Sequence, residues 1–420
     1  MKMLTRRQFL RRQVLGTATF AAGALLAGCG PQGVPGARVT LSQWYHQYGE
    51  PGTQDAVLRY ARAYTQQHPD VAVQVLWVPG DYGTKLSTAL LTGGPDVFEG
   101  SLTAAMVRAG QAAPLDDLFS PQVRADFSPR DLAANTVGGK VYAIKMLDDL
   151  GMIYYKKSLL AAAGIEPPRT FDALLAAAKA LTTDSRKGLF IGNDGGVNAL
   201  LTLLPWSAGA DFLQGDRIVF NDPRTIEAYR KLQELNESGT LLIGAPTDYW
   251  EPSSLTQGLA AMQWTGLWAY PAIKRAFGRD VGAVPWPALG SAGTPVTFLG
   301  GWSQMVNAQG RHIADAKAYV QWLWLQNTQY QQDWCLSYGL HVPPRASITR
   351  TAGVFQEPVP AAAASALAQY GRALPPDWNA AMGTALTDAL TNSLKRGQPL
   401  PAELAAAAAK CRRELERALE

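Results

Sequence analysis

Short period-two strands alternate with amphipathic helices along the first quarter of this 420-residue chain, and that rhythm restricts its fold more than any other feature. Val71, Val73, Val75 and Trp77 fall on one side of an extended segment, which predicts a strand. Just before it, Val57, Tyr60, Ala61 and Tyr64 share a helical face that ends at His68-Pro69-Asp70. Residues 39–44 read as an earlier strand. Tyr82, Leu86 and Leu90 mark a helix closed by Gly93-Gly94-Pro95, and Asp96-Val97-Phe98 is a third strand leading to a helical 101–109. The rhythm resumes after Tyr142 with a strand over 152–155. Thr170 then caps a helix carrying Phe171, Leu174, Leu175, Ala178 and Leu181 on one face. Asp222-Pro223 supplies an N-cap and an N1 proline for a helix reaching Asn236. From about residue 312 the chain reads as mostly helical, its Ala-rich stretches 361–368 and 405–409 being strong helix formers. Strand–helix alternation predicts an α/β fold of mainly parallel sheets flanked by helices, ending in a helical C-terminus.

Composition narrows the function. Apolar residues make up 47% and charged residues 17%, enough to bury a large core. Of the basic residues, Lys2, Arg6, Arg7, Arg11 and Arg12 stand within the first 28 positions, which hold no acid. The total of +4 therefore leaves the rest at 4 − 5 = −1. A near-neutral body without a basic stripe argues against nucleic acid as a partner. Three cysteines, Cys29, Cys335 and Cys411, are too few for a disulfide scaffold or a Cys-based zinc site. Cys335 and Cys411 are expected to be free packing thiols. His46, His68, His312 and His341 lack ligand spacing, so no metal site is predicted, and no cofactor fingerprint or phosphate loop occurs. There is no Gly-x-Ser-x-Gly elbow. The pairs Asp116-Asp117 and Asp148-Asp149 are sequence neighbours, whose side chains diverge on a strand and cannot flank one bond. These absences predict a protein that is not an enzyme, with no catalytic residue to name.

The N-terminus reads as an export signal over 1–28: a basic segment, then a short apolar one. Thr5-Arg6-Arg7-Gln8-Phe9-Leu10 is similar to a twin-arginine motif. Leu26-Ala27-Gly28-Cys29 is similar to the lipobox of bacterial lipoproteins, so Cys29 is the expected lipidation site and 29–37 a lipidated tether. The protein is then expected to be extracytoplasmic and membrane-anchored by lipid.

Twelve Trp and fifteen Tyr are present, many near strand ends or turns. At the carboxyl ends of strands in an open α/β sheet such side chains face a ligand crevice. A Trp plate there suits the C–H face of a pyranose.

Several segments together carry a resemblance: Val39-Thr-Leu-Ser-Gln-Trp44-Tyr45, His68-Pro69-Asp70-Val71, Gly94-Pro95-Asp96-Val97, Gly139-Lys140-Val-Tyr142 followed by Gly151-Met-Ile-Tyr154-Tyr155-Lys156, Ala163-Gly164-Ile165 through Phe171, Gln257 to Met262 with Gly266-Leu-Trp268, and Gly300-Gly301-Trp302. In this order, behind a lipobox, the chain resembles the extracellular solute-binding proteins of bacterial ABC sugar importers, in the maltose-type group. The resemblance implies a two-lobed periplasmic-binding-protein-like fold with crossings near Leu147, Pro285 and Leu340. The lobes would be 38–147 with 285–340, and 148–284 with 341–420. It implies a monomer that holds a carbohydrate ligand between the lobes and delivers it to membrane-embedded permease subunits. The implied contacts are Trp44 and Tyr45 after the first strand, Glu99, the hinge carboxylate Asp148, Trp268 as the stacking plate, and Trp302. Trp378, after Pro375-Pro376-Asp377, is a looser match to a late aromatic, and Trp206 rests on its position after a helix. Tyr155 and Lys145 replace the family's usual Asn and Pro. Alternatives from the residues are a lipid-anchored enzyme acting on surface polysaccharide, or a non-sugar solute such as a polyol, glycerol phosphate or amino compound.

Overall fold

A computed structural model describes residues 36–419; the expected signal segment over 1–28, the expected lipidation site Cys29 and most of the expected tether lie outside the described residues. Two open sheets organise the chain. The first runs in the order Val71–Val78, Val39–His46, Val97–Gly100, Ser303–Val306, Ile144–Lys145. Its first three strands are parallel, in register from Val39 opposite Val71 to His46 opposite Val78. Burial alternates along Val39–His46. The inward set Val39, Leu41 and Tyr45 meets Val57, Tyr60 and Tyr64 of helix Thr53–Gln67 and Trp324 and Trp334 from the later helical segment.

The second sheet runs Val281–Val284, Gly151–Lys156, Ala260–Gly266, Lys187–Phe190. Ala260–Gly266 is buried at every position because both its faces are covered. On one side lie helix Phe171–Leu181 and the terminal helices Ala380–Arg396 and Leu400–Leu419; on the other lie Tyr270–Phe277 and Pro358–Tyr370. The expected caps form: Thr170 Oγ1 accepts from Ala173 N at 3.2 Å, and Asp222 Oδ1 from Thr225 N at 2.9 Å. Cys335 and Cys411 are free and buried in different cores.

Two expectations are corrected. The sheets are mixed rather than mainly parallel: Ser303–Val306 runs antiparallel to Val97–Gly100, and Gly151–Lys156 runs antiparallel to both its neighbours. The reason is connectivity. The three parallel strands of the first sheet end at the side facing the other body, with Ser303 opposite Gly100. A chain that returns from that body enters at this end and must run backwards. Second, 285–298 packs with the second sheet rather than the first. Trp286 is fully buried against Trp264, rings 5.8 Å apart at 89°. Phe171 N donates to Ala288 O, Leu289 N to Ser207 O, and Thr297–Phe298 pairs with Gly371–Arg372. The chain therefore crosses at Leu299–Trp302, not near Pro285.

Candidate functional site between the two bodies

Three connecting segments lie side by side where the bodies meet. Asp148 and Val342 exchange backbone hydrogen bonds at 2.9 and 3.0 Å, Gly300 N donates to Asp149 O, and Met146 N donates to Trp302 O. His341 Nδ1 lies 2.6 Å from Asp149 Oδ1 and its Nε2 3.6 Å from Glu50. Burial works against a charged imidazole there, but Asp149 and Glu50 outweigh it and the His341 pKa is raised.

Above these segments is a cavity of about 370 Å³ walled by both bodies. Ser101, Thr103, Asn135 and Lys145 come from the side of the first sheet, and Trp206, Arg372 and Trp378 from the side of the second; Phe298–Gly301 forms the floor. The two tryptophans are held at fixed angles by Phe212, which meets Trp206 at 5.7 Å and 89° and Trp378 at 5.6 Å and 77°. Trp206 Nε1 donates to Asp211 at 3.3 Å, Arg372 donates to the same carboxylate at 2.7 Å, and the guanidinium sits 5.3 Å over the Trp206 ring. Lys145 Nζ donates to Gly300 O at 2.6 Å. The bodies touch across the cavity mouth, where Ala104 N donates to Pro376 O at 2.9 Å and Arg108 lies 3.7 Å from Asp377. Two indoles braced by the same Phe212 beside converging polar groups give a wall suited to a ring with hydroxyl edges.

A second cavity, about 580 Å³, lies on another side of the same segments, among Phe127, Asp131, Asp148, Val342, Pro344 and Leu367. Asp148 is buried there, 3.5 Å from Lys145, and one of its oxygens has no hydrogen-bond donor. Burial, reinforced by Asp131 and opposed by Lys145, pushes its pKa up.

Of the eight aromatic and acidic residues singled out in the sequence, the structure brings Trp206 and Trp378 into the wall of the first cavity. The others stand elsewhere. Tyr45 is fully buried in the first core, its hydroxyl among Gln43 and Gln304, because it falls on the inward side of the alternation. Trp44, on the opposite side, borders a separate groove with Leu76, Val78 and Lys85. Glu99 is fully buried and accepts from His46 N at 2.6 Å and Tyr48 Oη at 2.8 Å. Trp302 stacks on His46 at 4.1 Å. Trp268 lies back over Gly266, donates Nε1 to Trp250 O at 2.9 Å and reaches Phe298 by a tilted 6.5 Å contact, one layer behind the floor. Asp148 faces the second cavity. Lys145, Arg372 and Phe298 also line this cavity, and of the three only Lys145 carries a signal in the sequence, as a departure from the family's proline.

Comparison with known proteins follows the same outline. The sequence profile of the bacterial extracellular solute-binding proteins matches residues 50–325. A Deinococcus radiodurans protein described as "Probable ABC transporter-binding protein" is 30% identical over 218 residues, 48% of this chain and 51% of the relative. The chain thus spans about half the length of that curated relative. Among solved structures, the GacH receptor of Streptomyces glaucescens, studied unliganded and with acarbose, superposes with a TM-score of 0.74 at 24% identity, covering 91% of this chain and 98% of that one. The Thermus thermophilus maltotriose-binding protein, bound to maltotriose, gives 0.73 at 19% identity, covering 89% and 99%. Both likenesses establish the two-lobed fold.

Proposed function

The chain belongs to the bacterial extracellular solute-binding proteins, and on that footing we propose that it captures a carbohydrate between its two lobes for delivery to an ABC importer permease, without catalysing a reaction. The observation that carries the reading is the cavity walled by both lobes, with Trp206 and Trp378 held at right angles to Phe212. Solved relatives of the same fold were studied with acarbose, mannobiose and maltotriose. A ligand that touches both walls favours the state in which they approach, so capture and lobe closure are one event. The hinges of that motion are 147–149, 299–302 and 340–342, with the first lobe built on the sheet around Val39–His46 and the second on the sheet around Ala260–Gly266.

A thermal-shift panel of oligosaccharides tests this, since a ligand that binds only the folded form raises its melting temperature. At least one saccharide should stabilise the protein, and Trp378→Ala should weaken its binding by about 1.4 kcal/mol or more, a factor of about ten. Stabilisation by no saccharide defeats the reading. Release of reducing ends from a glycan would point instead to the enzyme.

The protein is held at the outer face of a membrane by lipid on Cys29, supported by the Leu26-Ala27-Gly28-Cys29 sequence. Among the described residues no helix is long and apolar enough to cross a membrane. Cys29→Ser should release the protein from the membrane fraction; persistence there with an unchanged N-terminal mass would exclude the anchor.

A further inference from the structure

Among the described residues lining the cavity between the lobes there are two cationic side chains, Lys145 and Arg372, and no Asp or Glu. They come from opposite lobes and flank the same floor segment: the Lys145 ammonium donates to Gly300 O, and the backbone carbonyl of Arg372 accepts from Leu299 N at 2.8 Å. Lys145 is only 7% exposed. Asp148 lies 3.5 Å from its Nζ, and burial beside Asp131 disfavours the charged form of that carboxyl. Lys145 has three N–H donors, and the floor carbonyl takes one. Arg372 gives one N–H to Asp211 outside the lining and sits 5.3 Å over the Trp206 ring, so its fork keeps donors for a ligand. Neutral sugars are ringed best by carboxylates, which accept from hydroxyls; this wall offers positive charge and donors instead.

Resting on the carbohydrate reading above, we propose that the solute is an anionic saccharide, a sugar bearing a carboxylate or a phosphate, whose charge lies between Lys145 and Arg372 on the Trp378 side of the cavity. The two anions share one chemistry here, charge-assisted hydrogen bonds from a guanidinium fork and an ammonium.

Calorimetric titration with matched pairs tests it: digalacturonate against galactobiose, and glucose 6-phosphate against glucose. An acidic member should bind at least about tenfold more tightly than its neutral partner, about 1.4 kcal/mol. That advantage should shrink between roughly 50 mM and roughly 500 mM salt, as screening requires. Preference for digalacturonate identifies the carboxylate, and preference for glucose 6-phosphate the phosphate. Lys145→Met and Arg372→Met should each pull the acidic-to-neutral ratio toward one. If the buried Lys145→Met variant does not fold, Arg372→Met carries the test, since that side chain is 38% exposed. Equal or tighter binding of the neutral partners, or an unchanged ratio in Arg372→Met, overturns the proposal while leaving a neutral-sugar receptor standing. Binding of no saccharide overturns both.

Discussion

Gly301→Ala should destabilise the fold by at least about 3 kcal/mol, far more than an ordinary surface glycine replacement. Gly301 has φ +92°, a backbone conformation that costs a residue with a Cβ about 1–3 kcal/mol. A Cβ there would also come within 2.2 Å of the Leu147 carbonyl oxygen and 3.0 Å of Asp149 N. These neighbours are backbone of an adjoining crossing segment, so no side chain can swing aside to relieve the overlap. Gly353→Ala is the control, with nothing within 4 Å of the new methyl group and no positive φ. It should stay within about 0.5 kcal/mol of the parent. Urea unfolding compares the two, and equal midpoints would show that the crossing is not constrained as the geometry requires. The loss should also reach ligand binding, because Gly301 lies in the cavity floor beside Gly300.

Arg345→Met should cost about 3–5 kcal/mol at neutral pH, the usual result of leaving one member of a buried ion pair behind. Arg345 Nε donates to Asp126 Oδ2 at 2.9 Å and a terminal nitrogen to Leu325 O at 3.0 Å, and the guanidinium lies over Phe127 at 5.9 Å. Asp126 also accepts from Ser347 N at 2.8 Å and Ser347 Oγ at 2.5 Å. Burial alone would raise the Asp126 pKa, but Ser347 and Arg345 outweigh it and hold it below the ordinary value. A depressed folded pKa means that this stability is present above the unfolded pKa near 3.9 and is lost as pH falls through the lower folded value. The gap between parent and Arg345→Met should therefore be full at pH 7 and narrow in strong acid. A gap under about 1 kcal/mol at pH 7, or one that persists unchanged once Asp126 is protonated, would show that the pair contributes little. The pair joins helix Pro121–Asp126 to the segment that follows His341–Val342.

Local patterns in the chain were legible where one residue type answers to one local rule. The alternation in Val71–Val78, the cap at Thr170 and the N1 proline after Asp222 all form where their spacing predicts. Aromatic placement was less legible. Trp44 and Tyr45 are adjacent, and a strand sends neighbours to opposite faces, so one borders an outer groove while the other is sealed in the core. Trp268 follows a strand that ends toward the cavity, but Gly266 leaves space above its own backbone and the indole folds into it. That choice depends on Phe298 and Trp250, far away in sequence.

By itself the sequence determined the class of the protein: strands and helices in alternation, and the order of segments that the solute-binding family shares. Such features follow from near neighbours along the chain, and short-range sterics and periodicity suffice to set them. Only the tertiary structure decided which side chains meet at the cavity. Lys145 precedes the first crossing, Phe298 the second, and Trp206, Arg372 and Trp378 come from the far lobe. Their convergence depends on strands that re-enter each sheet backwards and on Trp286 pulling 285–298 into the second core. The charge of the cavity is likewise a property of the assembled walls. A near-neutral chain can still line its cavity with two cations, because the burial that sets aside Glu99 and Asp148 is fixed by packing between residues that the sequence keeps far apart.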